Sequence, residues 1–251
     1  MPKFFVISDV HGYFEEMKAA LDAVGFDPDN KNHWLISCGD CTDRGPKPAD
    51  VIQYLTNLPR KFLVKGNHET LLEECIERNC PYSHDWSNGT AETIADLAPS
   101  TLIFKEACNI AYGIVTPFVD NMINYFETKN YIFVHAFVPL KNCDGLPKHY
   151  TKNRKFEIDP NWRHAHGSAW EEARWGNPYE LADKGLLPDK TLVFGHWHTS
   201  YARHKYENKP EWGNSADFSP YYGNGYIGID ACTAYSGKCN VLVLEDEFLE
   251  D

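Results

Sequence analysis

The sequence predicts an α/β fold. Three observations carry that prediction: short apolar runs that each end in polar residues, helical patterns between them, and a spacing of roughly 30 residues between the first three polar ends. The runs are Phe4–Ile7, Trp34–Cys38, Phe62–Val64, Tyr131–Val134 and Leu192–Phe194. They spill into Asp9-Val10-His11-Gly12, Gly39-Asp40-Cys41-Thr42-Asp43-Arg44-Gly45, Gly66-Asn67-His68-Glu69, His135 and Gly195-His196-Trp197-His198. In an α/β sheet, ligands are held outside the carboxyl ends of the strands.

Residues 3–9 read as the first strand, apolar enough to be covered on both faces. Asp9 and His11, two apart, are expected on one face of extended chain. Gly12 turns the chain into a helix from Tyr13 to Val24, with Phe14, Met17, Leu21 and Val24 as its apolar stripe; Gly25 and Asp27-Pro28-Asp29 end it. The strand at 34–38 completes a βαβ unit. A helix from Pro48 to Leu58 and a strand over Lys61–Lys65 repeat it.

After Thr70 the pattern changes. Leu71, Leu72, Cys75 and Ile76 predict a helix, Trp86–Gly89 a turn, and Thr90–Leu97 a second helix. Residues 70–130 are read as a helical cap leaning over the strand ends, inside a single domain spanning 1–251. Residues 139–190 read as loops with a short helix near Trp170–Trp175, and 203–224 as a polar loop. Tyr226–Asp230 and Asn240–Leu244 are expected to pair antiparallel around Ser236-Gly237.

The net charge of -12 argues against a nucleic-acid or anionic-membrane surface. No apolar run approaches the roughly 20 residues that span a bilayer. Met1-Pro2-Lys3-Phe4 leads straight into a strand, so a cytoplasmic protein is expected. The eight cysteines are scattered through a mid-sized chain, which reads as free thiols and not as a disulfide framework. Cys38-x-x-Cys41 has no second pair with zinc-ribbon spacing and reads as strand-end packing.

The polar ends carry the chemistry. Asp9, His11, Asp40, Asn67, His135, His196 and His198 offer carboxylate, imidazole and amide oxygen, the donors that divalent ions take. Asp40 is best placed to be shared by two ions. Two ions with open positions suit the in-line displacement of phosphate ester hydrolysis. Taken singly the blocks are weak: Asp9 alone would be a helix cap and Asp43-Arg44 a surface ion pair worth under about 1 kcal/mol. Their order along the chain gives them weight.

In that order they resemble the five signature blocks of calcineurin-like metallophosphoesterases, and look most like the bacterial and phage branch of phosphoprotein phosphatases. Trp86-Ser87-Asn88-Gly89-Thr90 is similar to a tryptophan–asparagine–glycine–glycine stretch of those relatives, with Thr90 in place of the second glycine. The resemblance implies two mixed sheets packed as a sandwich flanked by helices. It implies Asp9, His11 and Asp40 on a first ion, joined by His198, and Asp40, Asn67, His135 and His196 on a second. His68 is implied as general acid poised by Asp43, and Arg44 as the phosphate fork, with Asn67 as a further phosphate contact. A second phosphate arginine has no motif of its own; Arg174 is the first choice, with Arg163 and Arg154 behind it. Glu69 is read as structural.

The expected activity is hydrolysis of phosphorylated Ser/Thr, or Tyr, in proteins, with manganese first among the metals and iron, zinc, nickel or cobalt as alternatives. A symmetrical dinucleoside tetraphosphate hydrolase is the first rival; Lys141, Lys148, Lys152, Arg154, Lys155 and Arg163 would serve its extra phosphates. A non-catalytic scaffold is the second, disfavoured because His68 and every ligand block are intact. A monomer is the default.

Overall fold

The computed structural model describes residues 1–100, 102–141 and 156–249. Alternate residues of β1 (Lys3–Ile7) face different cores. Phe4 and Val6 join Ile36, Phe133, Val193 and Ile227 in one cluster. Phe5 and Ile7 join Leu35, Met17, Leu21 and Val51 in another. A strand apolar on both faces belongs inside a covered sheet, and β1 lies between β2 (His33–Ser37), parallel to it, and β9 (Leu242–Glu245), antiparallel. With β3 (Lys61–Leu63) beyond β2, the order of this sheet is β3-β2-β1-β9.

The second sheet runs β4-β5-β6-β8-β7, from β4 (Phe126–Glu127), β5 (Tyr131–Phe133), β6 (Thr191–Phe194), β7 (Tyr221–Gly223) and β8 (Tyr226–Gly228). Its outward residues Ile132, Leu192 and Phe194 pack with Trp162, Trp170, Tyr179 and Ala202. The fold is therefore two mixed sheets face to face, with helices on the outer faces. Both sheets are mostly parallel at their centres, so the strand ends carrying the motifs gather at one edge.

α1 (Phe14–Ala23) and α2 (Pro48–Asn57) cover the first sheet, and α3 begins at Asn67 itself and runs to Arg78. Met17 and Leu21 are buried as expected, whereas Val24 lies past the helix end and is exposed. Trp86–Asn88 is not a turn: it ends α4 (Ser83–Asn88), and Gly89 follows at φ 84, the left-handed cap that glycine favours. α5 (Thr90–Asp96) and α6 (Phe104–Asp120) complete the outer layer, and α5 also reaches the strand ends. Further on come α7 (Gly167–Ala173), α8 (Pro178–Asp183), α9 (Thr199–Glu207), which replaces the start of the expected 203–224 loop, and α10 (Thr233–Ser236).

The expected pairing of the last two strands is corrected. β8 pairs with β6 and β7 in the second sheet, and β9 crosses to β1 in the first. Seven cysteines among the described residues are free. Cys38 and Cys41 are fully buried, and burial raises both thiols, which leaves them poor nucleophiles. No described helix is long and apolar enough to cross a membrane.

Candidate metal centre

Asp9, His11, Asp40, Asp43, Arg44 and His196 all have left-handed backbone, with φ of 51, 50, 55, 70, 66 and 63°. Each sits where a strand ends, and each would relax elsewhere without its neighbours. The expectation of extended chain at Asp9-x-His11 is thus wrong: a tight turn, not strand alternation, aims these side chains. Asn67 and His68 are likewise not extended but lie in the first turn of α3. Two glycines permit the crowding. A Cβ at Gly66 would overlap Asp40 Oδ1, and one at Gly195 would overlap Ser8 and Asp9 Oδ2.

Two groups of donor atoms result, each with its atoms within 4.8 Å of one another: His11, Asp40 and His68, and Asp40, His135 and His196. Asp40 belongs to both. Its Oδ1 accepts the His68 amide at 3.0 Å and lies 3.4 Å from His135 Nε2; its Oδ2 lies 3.7 Å from His11 Nε2. Asp9 Oδ2 accepts from Ser8 Oγ and the His196 amide, and its Oδ1 is 4.0 Å from His11 Nε2. Glu69 accepts the amides of Asp40, Cys41 and Gly66, which ties the central loop to the start of α3.

The imidazoles are preset. His11 Nδ1 donates to Thr42 O at 2.9 Å and His135 Nδ1 to Cys38 O at 2.8 Å, so each Nε2 is left as a bare lone pair. His135 Nε2 meets Asn67 Oδ1 at 2.8 Å and His196 Nδ1 at 3.1 Å. Acceptors converging on acceptors at such distances call for a cation between them. Arg44 meets part of that need: its two Nη atoms donate to His11 Nε2 at 2.8 Å and His68 Nε2 at 2.9 Å.

Charge agrees with geometry. Burial raises the Asp40 pKa, but His135, His68, His11 and His196 outweigh it and hold the carboxyl well below its usual range. Asp9 goes the other way, pushed well up by burial and by the charges of Asp230 and Asp40. Burial depresses His11 and His135, and burial with the neighbouring His135 takes His196 to about 3. His68 differs: burial opposes its charged form, yet Asp40 and the hydrogen bond to Asp43 raise it. Neutral imidazoles, buried carboxylates and an amide oxygen are a donor set that divalent ions fit.

A calcineurin-like phosphoesterase family model matches residues 2–200. The chain belongs to that family. The phosphoesterase is 44% identical over 81 residues to a symmetrical bis(5'-nucleosyl)-tetraphosphatase of Serratia proteamaculans, a stretch that is 31% of this chain and 28% of that one. The corresponding enzyme of Yersinia enterocolitica is 42% identical over 81 residues, 31% and 27% of the two chains. The matched stretch thus spans under a third of these relatives' length. In fold it resembles a putative diadenosine tetraphosphatase (TM-score 0.58, 18% identity, covering 97% of this chain and 91% of that one). It also resembles a cold-active protein tyrosine phosphatase (TM-score 0.56, 13% identity, covering 98% and 74%).

Several expected residues already have other partners. His198 is the N-cap of α9: its Nδ1 accepts the Tyr201 amide and contacts Ser200 Oγ, while its Nε2 lies 3.6 Å from Glu211. Capping turns it out of both donor groups. Arg174 is 8% exposed and anchored by Lys65 O and Asn124 Oδ1. Arg163 is held by Glu127 and Asp189, and Lys141 by Glu157, so neither is spare for extra phosphates. Lys148, Lys152, Arg154 and Lys155 lie outside the described residues.

Three residues escaped the sequence reading. Thr90 and Thr93 of α5 donate to the two oxygens of Asp43 at 2.7 and 3.0 Å, beside the His68 Nδ1 contact at 2.7 Å. The spacing of Thr90 and Thr93 on one helix face was the available signal. Asp230, 6% exposed, is raised to about 7, chiefly by burial, and its charge is felt at Asp9. No motif marks it.

Proposed function

We propose that this phosphoesterase hydrolyses its substrate with two divalent ions held on either side of Asp40. The observation that carries the proposal is the pair of buried donor groups sharing that carboxylate. His11 and Asp40 of the first group, with Asp9, whose Oδ1 lies 4.0 Å from His11 Nε2, would hold one ion, His68 being kept as the acid; Asp40, His135 and His196, with Asn67, would hold the other. When bound, such ions acidify water and neutralise phosphate charge. The chain's own groups do the rest. Arg44, on an exposed left-handed turn, swings off the two imidazoles and forks onto phosphate oxygens. His68 keeps Nδ1–H on Asp43; once Arg44 has left it, Nε2 takes up a proton from solvent and gives that proton to the departing oxygen. Asn67, at the start of α3, and Arg174, from its anchored position, complete the phosphate contacts.

Two substrate classes suit this arrangement. Phosphorylated serine or threonine in a protein is the reading the motifs suggest first. A dinucleoside tetraphosphate is favoured by the activity for which the Serratia and Yersinia relatives are named. We place it ahead: water adds at a phosphorus atom next to the middle of the chain, the bridging P–O bond breaks, and two nucleoside diphosphates leave. Turnover of diadenosine tetraphosphate, a phosphoserine peptide and p-nitrophenyl phosphate, each with Mn2+, tests the choice. Activity on the peptide far above that on the nucleotide reverses it; no activity on any of the three overturns the whole proposal.

A further inference from the structure

Two large rings stand half open to solvent where the second sheet meets the metal centre. Trp212 is 48% exposed and Tyr235 53%. Single exposed rings are ordinary, but these two are arranged. Their centroids lie 5.0 Å apart at 80°, an edge-to-face pair that forms a corner. The Tyr235 hydroxyl accepts the Gly213 amide at 2.9 Å, which fixes the two segments together. Phe218, 8% exposed, backs the corner, 5.8 Å from Tyr235 and 6.4 Å from Trp212.

Both walls are tied to loops that carry the donor groups. Thr233, two residues before Tyr235, donates its hydroxyl to the carbonyl of Asp9 at 2.9 Å. Trp212 lies 4.6 Å from the ring of His198, two residues after His196. Two residues of chain span at most about 7 Å. That keeps Tyr235 close to the Asp9 turn and His198, on which Trp212 packs, close to His196.

We infer that Trp212 and Tyr235 form a stacking subsite for a nucleobase of the substrate. The subsite rests on the nucleotide reading above and names what grips its base. A base has a π-face whatever its identity, so the corner would select for a nucleoside over a phosphorylated aliphatic side chain without choosing among bases.

Calorimetric titration tests this with ADP and with inorganic phosphate, each in the presence of Mn2+. Trp212→Leu and Tyr235→Leu should each weaken ADP about tenfold or more while phosphate affinity holds. Trp212→Phe, which keeps a ring, should recover most of the loss. In turnover of diadenosine tetraphosphate the damage should fall on KM. An equal loss for ADP and phosphate, or no loss for either, overturns the subsite. ADP binding that depends on Trp212 without cleavage of diadenosine tetraphosphate would instead overturn the substrate reading and leave the subsite standing.

Discussion

On one side of Asp40 the donors Asp9 and His11 both come from left-handed turns, and His11 lies under an arginine; on the other, His135 comes from a strand end and Asn67 from a helix start, with only His196 on a left-handed turn. Asp9, His11, Asp43 and Arg44 all have left-handed backbone, and Arg44 donates to His11 and His68. His135 directly follows β5 and is locked by Cys38 O, and Asn67 opens α3. The first side can rearrange when Arg44 moves. Of the second side, His135 and Asn67 are fixed by regular structure, and His196 alone is not. Three of the four central imidazoles sit below their ordinary pKa and one, His68, above it. Environments that push like groups apart are how a site separates ligands from an acid.

Breaking the shared carboxylate should erase the contrast altogether. Asp40→Asn is expected to cut turnover by at least about 10³-fold and to leave fewer than two ions per chain by elemental analysis. Two ions retained at wild-type turnover would show that the sides do not depend on Asp40. Removing ions with a chelator leaves both sides with unopposed lone pairs. Binding at 100 times Kd contributes about 2.7 kcal/mol. Stripped protein should therefore melt about 5–10 °C lower, and Mn2+ should restore it.

How much of this was written locally differs between the sides. Strand ends were legible because an apolar run followed by Asp, Asn or His is a short-range pattern. The turn at Asp9 and His11 was not, since left-handed backbone at a non-glycine residue is imposed by the surroundings: Gly39 O accepts the Asp9 amide and Asp40 O the His11 amide, both long-range contacts. β9 pairs with β1 across almost the whole chain, a partnership no turn signal encodes. α6 had a signal, Ala107, Cys108, Ala111, Val115 and Phe118 at helical spacing, now buried together. His198 looked like a ligand because Gly-His-Trp-His carries no mark of which imidazole caps the following helix.

Within the first side, protonation can be separated from binding. His68→Asn should keep two ions and slow a phosphoserine peptide by about 10²–10⁴-fold, with a much smaller loss on p-nitrophenyl phosphate, whose phenolate leaves without help. Loss of an ion in the variant would make His68 part of the donor set. Equal losses on both substrates would make it a phosphate anchor.

The smallest effect probes the support behind His68. Asp43 receives three hydrogen bonds, from His68 Nδ1, Thr90 Oγ1 and Thr93 Oγ1, and Thr90 shares Oδ2 with the histidine. Removing the Thr90 hydroxyl frees the carboxylate to rotate, so the imidazole loses a fixed aim while every metal donor stays in place. One such hydrogen bond is worth about 1 kcal/mol, or roughly fivefold. Thr90→Val, matched in shape, should slow the phosphoserine peptide by about that factor and leave p-nitrophenyl phosphate nearly untouched. Thr90→Ser should restore the rate, because the hydroxyl and not the methyl supplies the contact. If Thr90→Val lowers both substrates equally and Thr90→Ser does not rescue, Thr90 acts through packing of α5. The contrast between an adjustable and a fixed side would then stop at His68, without extending into the helix behind it.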